Sequence, residues 1–140
     1  AAELRAENVR FVERRSPLDM PELYAAADYQ LVMLRDLPEL RGTVPGKVQA
    51  ALSCAAPVVA SAAGDTADLV ERARAGLSCP PEDWASLADR FWLAATIPAS
   101  ARVDMGRRGR EAYLREMSLP AGVDRIERLL QEAAAGRRAA

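Results

Sequence analysis

Short apolar runs alternate with helix-length segments along this chain, and that rhythm restricts the fold more than any other feature. NVRFV (8–12) is β-branched and aromatic, YQLVML (29–34) is almost continuously apolar, and PVVAS (57–61) and GLSCP (76–80) follow. Runs of this length read as strands, and the uninterrupted apolar ones as strands buried on both faces. Between them lie MPELYAAA (20–27), with Met20, Leu23, Tyr24 and Ala27 at helical spacing, then GKVQAALSCAA (46–56) and TADLVERARA (66–75). Strands joined by helices of this size need crossover connections, and therefore form a parallel sheet with helices on both faces. After GLSCP only helical patterns remain: DWASLADRFWLAAT (83–96), ARVDMGRRGREAYLREM (101–117) and AGVDRIERLLQEAA (121–134). The last of these sets Val123, Ile126, Leu129 and Leu130 in one apolar stripe opposite Asp124, Arg125, Glu127 and Arg128. The expected fold class is α/β, a Rossmann-like three-layer parallel sheet followed by C-terminal helices. With 140 residues there is room for one domain and one core.

Charge and side-chain inventory remove several functions. The net charge of -1 provides no field of one sign for nucleic acid. The arginine clusters at Arg107, Arg108 and Arg110, and at Arg137 and Arg138, read as solvated helix faces and a chain end. Histidine is absent, and Cys54 and Cys79 stand alone, which excludes zinc-ligand spacing and any imidazole-dependent triad. No apolar run reaches about 18 residues and no secretory signal is visible, so the expected location is the cytoplasm.

One residue breaks the pattern of composition. Eighteen of the nineteen basic residues are arginine, and the single lysine, Lys47, stands in TVPGKVQ (43–49). The preceding RDLPELRGTVP (35–45) holds two prolines and a glycine and reads as a loop. In parallel sheets of this kind, ligands bind outside the carboxyl ends of the strands. The 35–45 loop running into Gly46 and Lys47 belongs there, as does the turn Ala63-Gly64-Asp65-Thr66 after PVVAS. A helix start behind a glycine offers free backbone N–H groups, and a nearby lysine adds a point charge; together they suit a phosphate. Local chemistry leaves plainer roles open: Thr43 as a helix cap, Lys47 as a surface charge, and Asp65 as the cap of its own helix.

Three stretches taken together carry a resemblance. NVRFVERRSPLDMPELYAAADYQLVML, TVPGKVQAALSCAAPVVASAAGDTADLVERARAGLSCPPED and MGRRGREAYLREMS resemble, in order and register, the donor-binding C-terminal domain of retaining GT-B glycosyltransferases of family 4. The branch resembled is the bacterial enzymes of surface-polysaccharide synthesis. The resemblance implies a nucleotide-diphosphate sugar as donor, a substrate and not a cofactor. It places the diphosphate by Thr43, Gly46 and Lys47, with Gln49 near ribose or sugar hydroxyls. Asp65, behind Gly64, matches an acidic donor-side residue, and Arg14 falls near the base. Catalytic groups stay unassigned, and no metal is implied.

The departures are specific. Many members carry two glutamates eight positions apart, which fall on Gly42 and Ala50 here, so the ribose contact of the second is missing. The branch's tyrosine, glycine and arginine are Ala51, Ala55 and Ala56. The resemblance further implies that residues 1–140 are a partial nucleotide-sugar-binding domain, with strands and helices over 8–80 and a helical part over 83–135. The chain would open in the tail of a second helix, AAELRAE. With NVRFV as strand three and YQLVML as strand four of order 3-2-1-4-5-6, strands one and two belong between them. YQLVML is then expected to present an open apolar edge. The implied partners are the donor and an N-terminal acceptor domain or partner chain; peripheral contact with the cytoplasmic membrane is compatible with such a role. The alternative reading is a degenerate, non-catalytic Rossmann-like module that binds a partner subunit. A phosphoacceptor receiver domain is disfavoured, because its aspartates should cluster at strand ends and Asp28 precedes its strand.

Overall fold

The computed structural model describes residues 8–138, so the expected helix tail AAELRAE lies outside the described residues. Helix α1 (Met20–Ala26) follows a short 3-10 turn at Pro17–Asp19, which Ser16 caps by accepting from the Leu18 N–H. Then come β1 (Gln30–Met33), α2 (Gly46–Ser53), β2 (Val58–Ser61), α3 (Asp65–Arg72) and β3 (Gly76–Cys79). Three helices end the chain: α4 (Trp84–Thr96), α5 (Ala99–Glu116) and α6 (Leu119–Arg138). The three strands form one parallel sheet in the order β1-β2-β3, with Leu31, Val59 and Leu77 level across it. None of the helices among the described residues is long and apolar enough to cross a membrane.

The alternation of side chains explains the layers. Val32, Val58 and Ala60 point to one face, where Val48, Leu52, Leu69 and Val70 of α2 and α3 close over them, with Tyr113 of α5 packed alongside. Val59 and Cys79 point to the other face and meet Leu87 and Ala94 of α4. Every residue of β2 is buried, as its central position dictates. The result is the expected Rossmann-like three-layer arrangement with C-terminal helices.

The ends of α2 and α3 share one device. At the end of α2 the Ala56 N–H donates to the Ala51 carbonyl (2.9 Å) and the Ala55 N–H to Leu52 (3.0 Å). At the end of α3 the Ala75 N–H reaches Val70 (3.0 Å) and the Arg74 N–H reaches Glu71 (2.9 Å). Both are Schellman motifs, and both put a residue with a side chain in the left-handed position that glycine favours: Ala55 at φ 55° and Arg74 at φ 50°. Helix α5 lies hard against these turns. Arg108 Nε donates to the Arg74 carbonyl (3.1 Å), and Arg110 donates to the Ser53 carbonyl at the end of α2. The first arginine cluster is thus mostly a set of helix-end ties, while Arg107 pairs with Asp104 and Glu111 along its own helix. The side chains of Arg137 and Arg138 lie outside the described residues.

Two expectations need correction. NVRFV is not a strand: residues 9–16 have no regular structure, and Phe11 is 82% exposed. A strand needs a neighbour to receive its N–H and C=O groups, and no described strand pairs with this segment. YQLVML is likewise not buried on both faces. Val32 is buried, but Leu31 and Met33 are 45% and 50% exposed. They sit on the face covered by α4, which packs over β2 and β3 and leaves β1 bare. β1 is also an edge strand of the sheet among the described residues. The α6 stripe is also largely uncovered, since Val123, Ile126, Leu129 and Leu130 are all exposed.

Candidate functional site

Because the strands are parallel, their carboxyl ends share one rim, and the segments 34–45, 62–64 and 80–83 gather there. The long first segment is held by its own short bonds and by its neighbours. Pro38–Leu40 form a 3-10 turn, and the Thr43 N–H closes on the Leu40 carbonyl (3.1 Å). Arg41 then joins the loop to the turn after β2: its carbonyl accepts from the Asp65 N–H at 2.8 Å. Its guanidinium pairs with Asp36 (3.0 Å), whose own N–H donates to Glu82 Oε2 (3.3 Å) beyond β3. Next to Glu82, Asp83 caps α4 by accepting from the Ser86 N–H and hydroxyl, and those bonds, the hydroxyl's foremost, hold its carboxyl below the usual carboxylate range.

Gly64 is where this junction is tightest. It adopts φ 68° and ψ -143°, and a Cβ there would lie 2.1 Å from the Arg41 carbonyl oxygen. Only glycine allows that approach. One turn further, the buried Thr66 hydroxyl donates to the Thr43 carbonyl at 2.6 Å. Thr43, Gly64 and Asp65 are therefore brought together, and Arg41 and Thr66 are the residues that do it. The sequence marked Thr66 only as the last residue of the turn after β2, and Arg41 not at all. Arg41 acts chiefly through its backbone carbonyl, for which no side-chain signal exists.

Helix α2 begins at the end of this braced loop. Its cap is Pro45, not Thr43; proline has no side-chain oxygen to offer the first turn. The Thr43 hydroxyl turns back toward the Glu39 carbonyl (3.5 Å). The Val48 and Gln49 N–H groups find the Pro45 carbonyl at 2.9 and 3.3 Å, whereas those of Gly46 and Lys47 have no acceptor among the described residues. Lys47 is exposed and forms no ion pair there. Gly46 faces open space, with nothing within 4 Å of where a Cβ would stand. The fold itself therefore does not demand glycine at 46. Two free amides and a cation meet at one open corner, which is the equipment of an anion site.

The remaining expected residues fall less simply. Gln49 spends its amide on the Val44 carbonyl (3.1 Å), so it pins the loop and keeps only its Oε1 to offer. Asp65 is not a cap; Gly64 is, and Asp65 is the first residue of α3. Its side chain borders a cleft of about 350 Å³ toward α5 and α6, lined also by Val44, Asp68, Arg72 and Glu116. Arg14 stands apart, exposed in the irregular segment before α1, with no bond to the rim loops. Among the described residues no group of three or more His, Cys, Asp or Glu could hold a metal ion.

Helices on both faces of a parallel sheet define a Rossmann-like domain, of the GT-B type by its structural likeness. Superposition on sucrose-phosphate synthase from Thermosynechococcus elongatus gives a TM-score of 0.76 at 26% identity, over 96% of this chain. The profile of the glycosyl transferases group 1 family matches residues 1–93, and the chain belongs to that family. No curated protein sequence matches it. The chain spans about a third of the length of the synthase, 33%.

Proposed function

We propose that residues 1–140 are the donor-binding part of a retaining glycosyltransferase that uses a nucleotide-diphosphate sugar in bacterial polysaccharide or glycoconjugate synthesis. The observation that supports this most directly is the start of α2, where the Gly46 and Lys47 amides and the Lys47 ammonium have no partner among the described residues, at the carboxyl-end rim of the sheet. When the bond between the donor's anomeric carbon and its diphosphate oxygen breaks, negative charge grows on the departing diphosphate. Preoriented amides and a cation stabilise that charge more than the ground state, which lowers the barrier. Lysine suits the role because its ammonium is a flexible point charge that can follow the phosphate. In this reading Thr43 and Gly64 shape the loop, and Gln49 accepts from a sugar or ribose hydroxyl. Asp65 contributes an acidic group behind the rim, and Arg14 approaches the base on the strength of the family resemblance alone. The acceptor site belongs to a further domain or chain, and the enzyme works in the cytoplasm or at the cytoplasmic face of the membrane.

The exposed Leu31 and Met33 on the uncovered face of β1 favour a second reading, a module whose main task is to bind a protein partner. Titration separates the two. A charge-assisted hydrogen bond contributes about 1.5–3 kcal/mol, so Lys47→Ala is expected to weaken a nucleoside diphosphate roughly 10-fold or more, at about 1.4 kcal/mol per decade. The matching nucleoside should bind both proteins alike, and added salt should erode the advantage of the diphosphate. Equal binding of diphosphate and nucleoside by the unmodified chain would refute the donor-site reading and leave the partner module.

A further inference from the structure

Helix α4 is apolar on more sides than its own sheet covers. Of its 13 residues, Trp84–Thr96, only Asp89 and Arg90 carry charge. Leu87 and Ala94 are spent on Val59 and Cys79 of the sheet. Trp84 and Trp92, the two tryptophans of the chain, are 64% and 77% exposed, and Phe91 is half exposed. A helix that is apolar all round is ordinarily buried all round. Beside α4 lies the bare step of β1, where Leu31 and Met33 are open. Phe91 and Ala95 turn toward that step, for they border a hollow shared with Tyr29, the residue before β1.

The spacing along this face determines what fits it. Trp84, Ala88, Phe91 and Ala95 recur at intervals of four, three and four residues, the narrow seam of a helix pair. Large and small side chains alternate along the seam. A second α4, turned antiparallel by a two-fold axis between Asp89 and Arg90, sets its Ala95 against Trp84 and its Ala88 against Phe91. Every large ring then meets a methyl group, which is the self-complementarity a two-fold interface requires. The outward Trp92 has the other copy's Leu31 and Met33 to cover.

Area and charge agree with a second copy as the occupant. Trp84, Phe91, Trp92, Leu31 and Met33 leave about 600 Å² open on each copy, or about 1,200 Å² for two, enough for a stable interface of the smaller kind. The seam holds no lysine or arginine to attract an anionic lipid surface, and charge-poor, apolar cores mark homodimers. We propose that α4 is the dimerisation helix of this chain and pairs antiparallel with α4 of a second copy. No residue of the rim loops takes part, so the proposal stands apart from the donor-site reading.

The test is sedimentation of the full chain over a concentration series, with tryptophan emission read on the same samples. A dimer is expected by about 100 µM, with emission moving to shorter wavelength as both tryptophans lose water. Ala88 is exposed, so Ala88→Glu should fold normally. It puts a carboxylate into the seam twice over and should weaken the dimer about 100-fold or more. Ala88→Leu separates register from mere stickiness: it adds apolar surface, yet sets large against large, and should weaken the dimer too. Ile126→Glu, in the exposed stripe of α6, should leave the dimer intact. A monomer at every concentration, which would leave the face to a segment outside this chain, overturns the proposal. So does a dimer that Ala88→Glu spares, Ala88→Leu tightens or Ile126→Glu abolishes, and so does emission that shifts only with added phosphatidylcholine vesicles.

Discussion

The buried hydroxyl of Thr66 donates a 2.6 Å hydrogen bond to the carbonyl of Thr43, and this bond fastens the 35–45 loop to the first turn of α3. The loop delivers Gly46 and Lys47 to the rim, so the bond acts on the site from 23 residues away in sequence. Thr66→Val keeps the shape and deletes the donor. It is expected to lower stability by about 1–3 kcal/mol, the cost of leaving a partly buried carbonyl unmatched. A urea midpoint measures that loss. Limited trypsin digestion gives an independent readout, since cleavage after Arg35 and Arg41 should accelerate. Thr66→Ser, which keeps the hydroxyl, should leave the digestion pattern unchanged.

Helix α5 approaches the end of α2 so closely that an added Cβ at Gly106 would lie 2.0 Å from the Ala55 carbonyl oxygen. Glycine inside a helix ordinarily costs about 1 kcal/mol relative to alanine, so replacing it should help. Here the sign reverses. Gly106→Ala must push α5 off the Schellman turn and disturb the Leu52 contacts behind it, and thermal unfolding should shift down by several degrees. A stabilised variant would show that the close approach is not a requirement.

Ala55 itself offers the opposite change. It holds φ 55° at the position where the resembled branch has glycine. A left-handed conformation costs an L-residue about 1–2 kcal/mol, partly offset by the larger chain entropy that glycine loses on folding. Ala55→Gly is therefore expected to stabilise the chain by roughly 0.5–1 kcal/mol, read as a raised urea midpoint with an unchanged slope.

Glu116 joins α5 to α3 through Arg72 (2.6 Å) and also accepts from Arg115 (2.7 Å). The Arg115 hydrogen bond chiefly, with the charge of Arg72, holds its carboxyl below the ordinary value of 4.5. A carboxyl depressed in the folded state contributes stability above its unfolded pKa, and that contribution is lost as pH falls through the folded value. Glu116→Gln should thus unfold at lower temperature than the unmodified chain at pH 7, by an amount worth at most about 1 kcal/mol for so accessible a pair. The difference should shrink as the pH falls below about 4.5 and vanish once the folded carboxyl is protonated.

Legibility in the sequence followed the range of the forces involved. Strands β1, β2 and β3 and all six helices were visible as periodicity, since burying one face of an element imposes its spacing on neighbours along the chain. PVVAS shows the rule at its cleanest, apolar throughout and buried throughout. NVRFV obeyed the same composition and failed, because a strand exists only where another strand receives its hydrogen bonds. The TVPGKVQ corner stood out as chemistry, a glycine and a single lysine at a helix start, whereas the cap expected at Thr43 falls on Pro45.

The sequence alone determined the alternation of elements, the parallel character of the sheet and the presence of a cation at a helix start. These are local properties, carried by side-chain type and spacing within a few residues. Tertiary structure alone decided that Arg41 and Thr66 brace the loop, that Gln49 turns inward to Val44 and that β1 stays half uncovered. Each of these depends on a backbone carbonyl, or on the presence or lack of a neighbour, brought about by chain folding between distant residues. Backbone carbonyls are chemically alike at every position, so only the approach of two segments in space distinguishes the one that holds a site together.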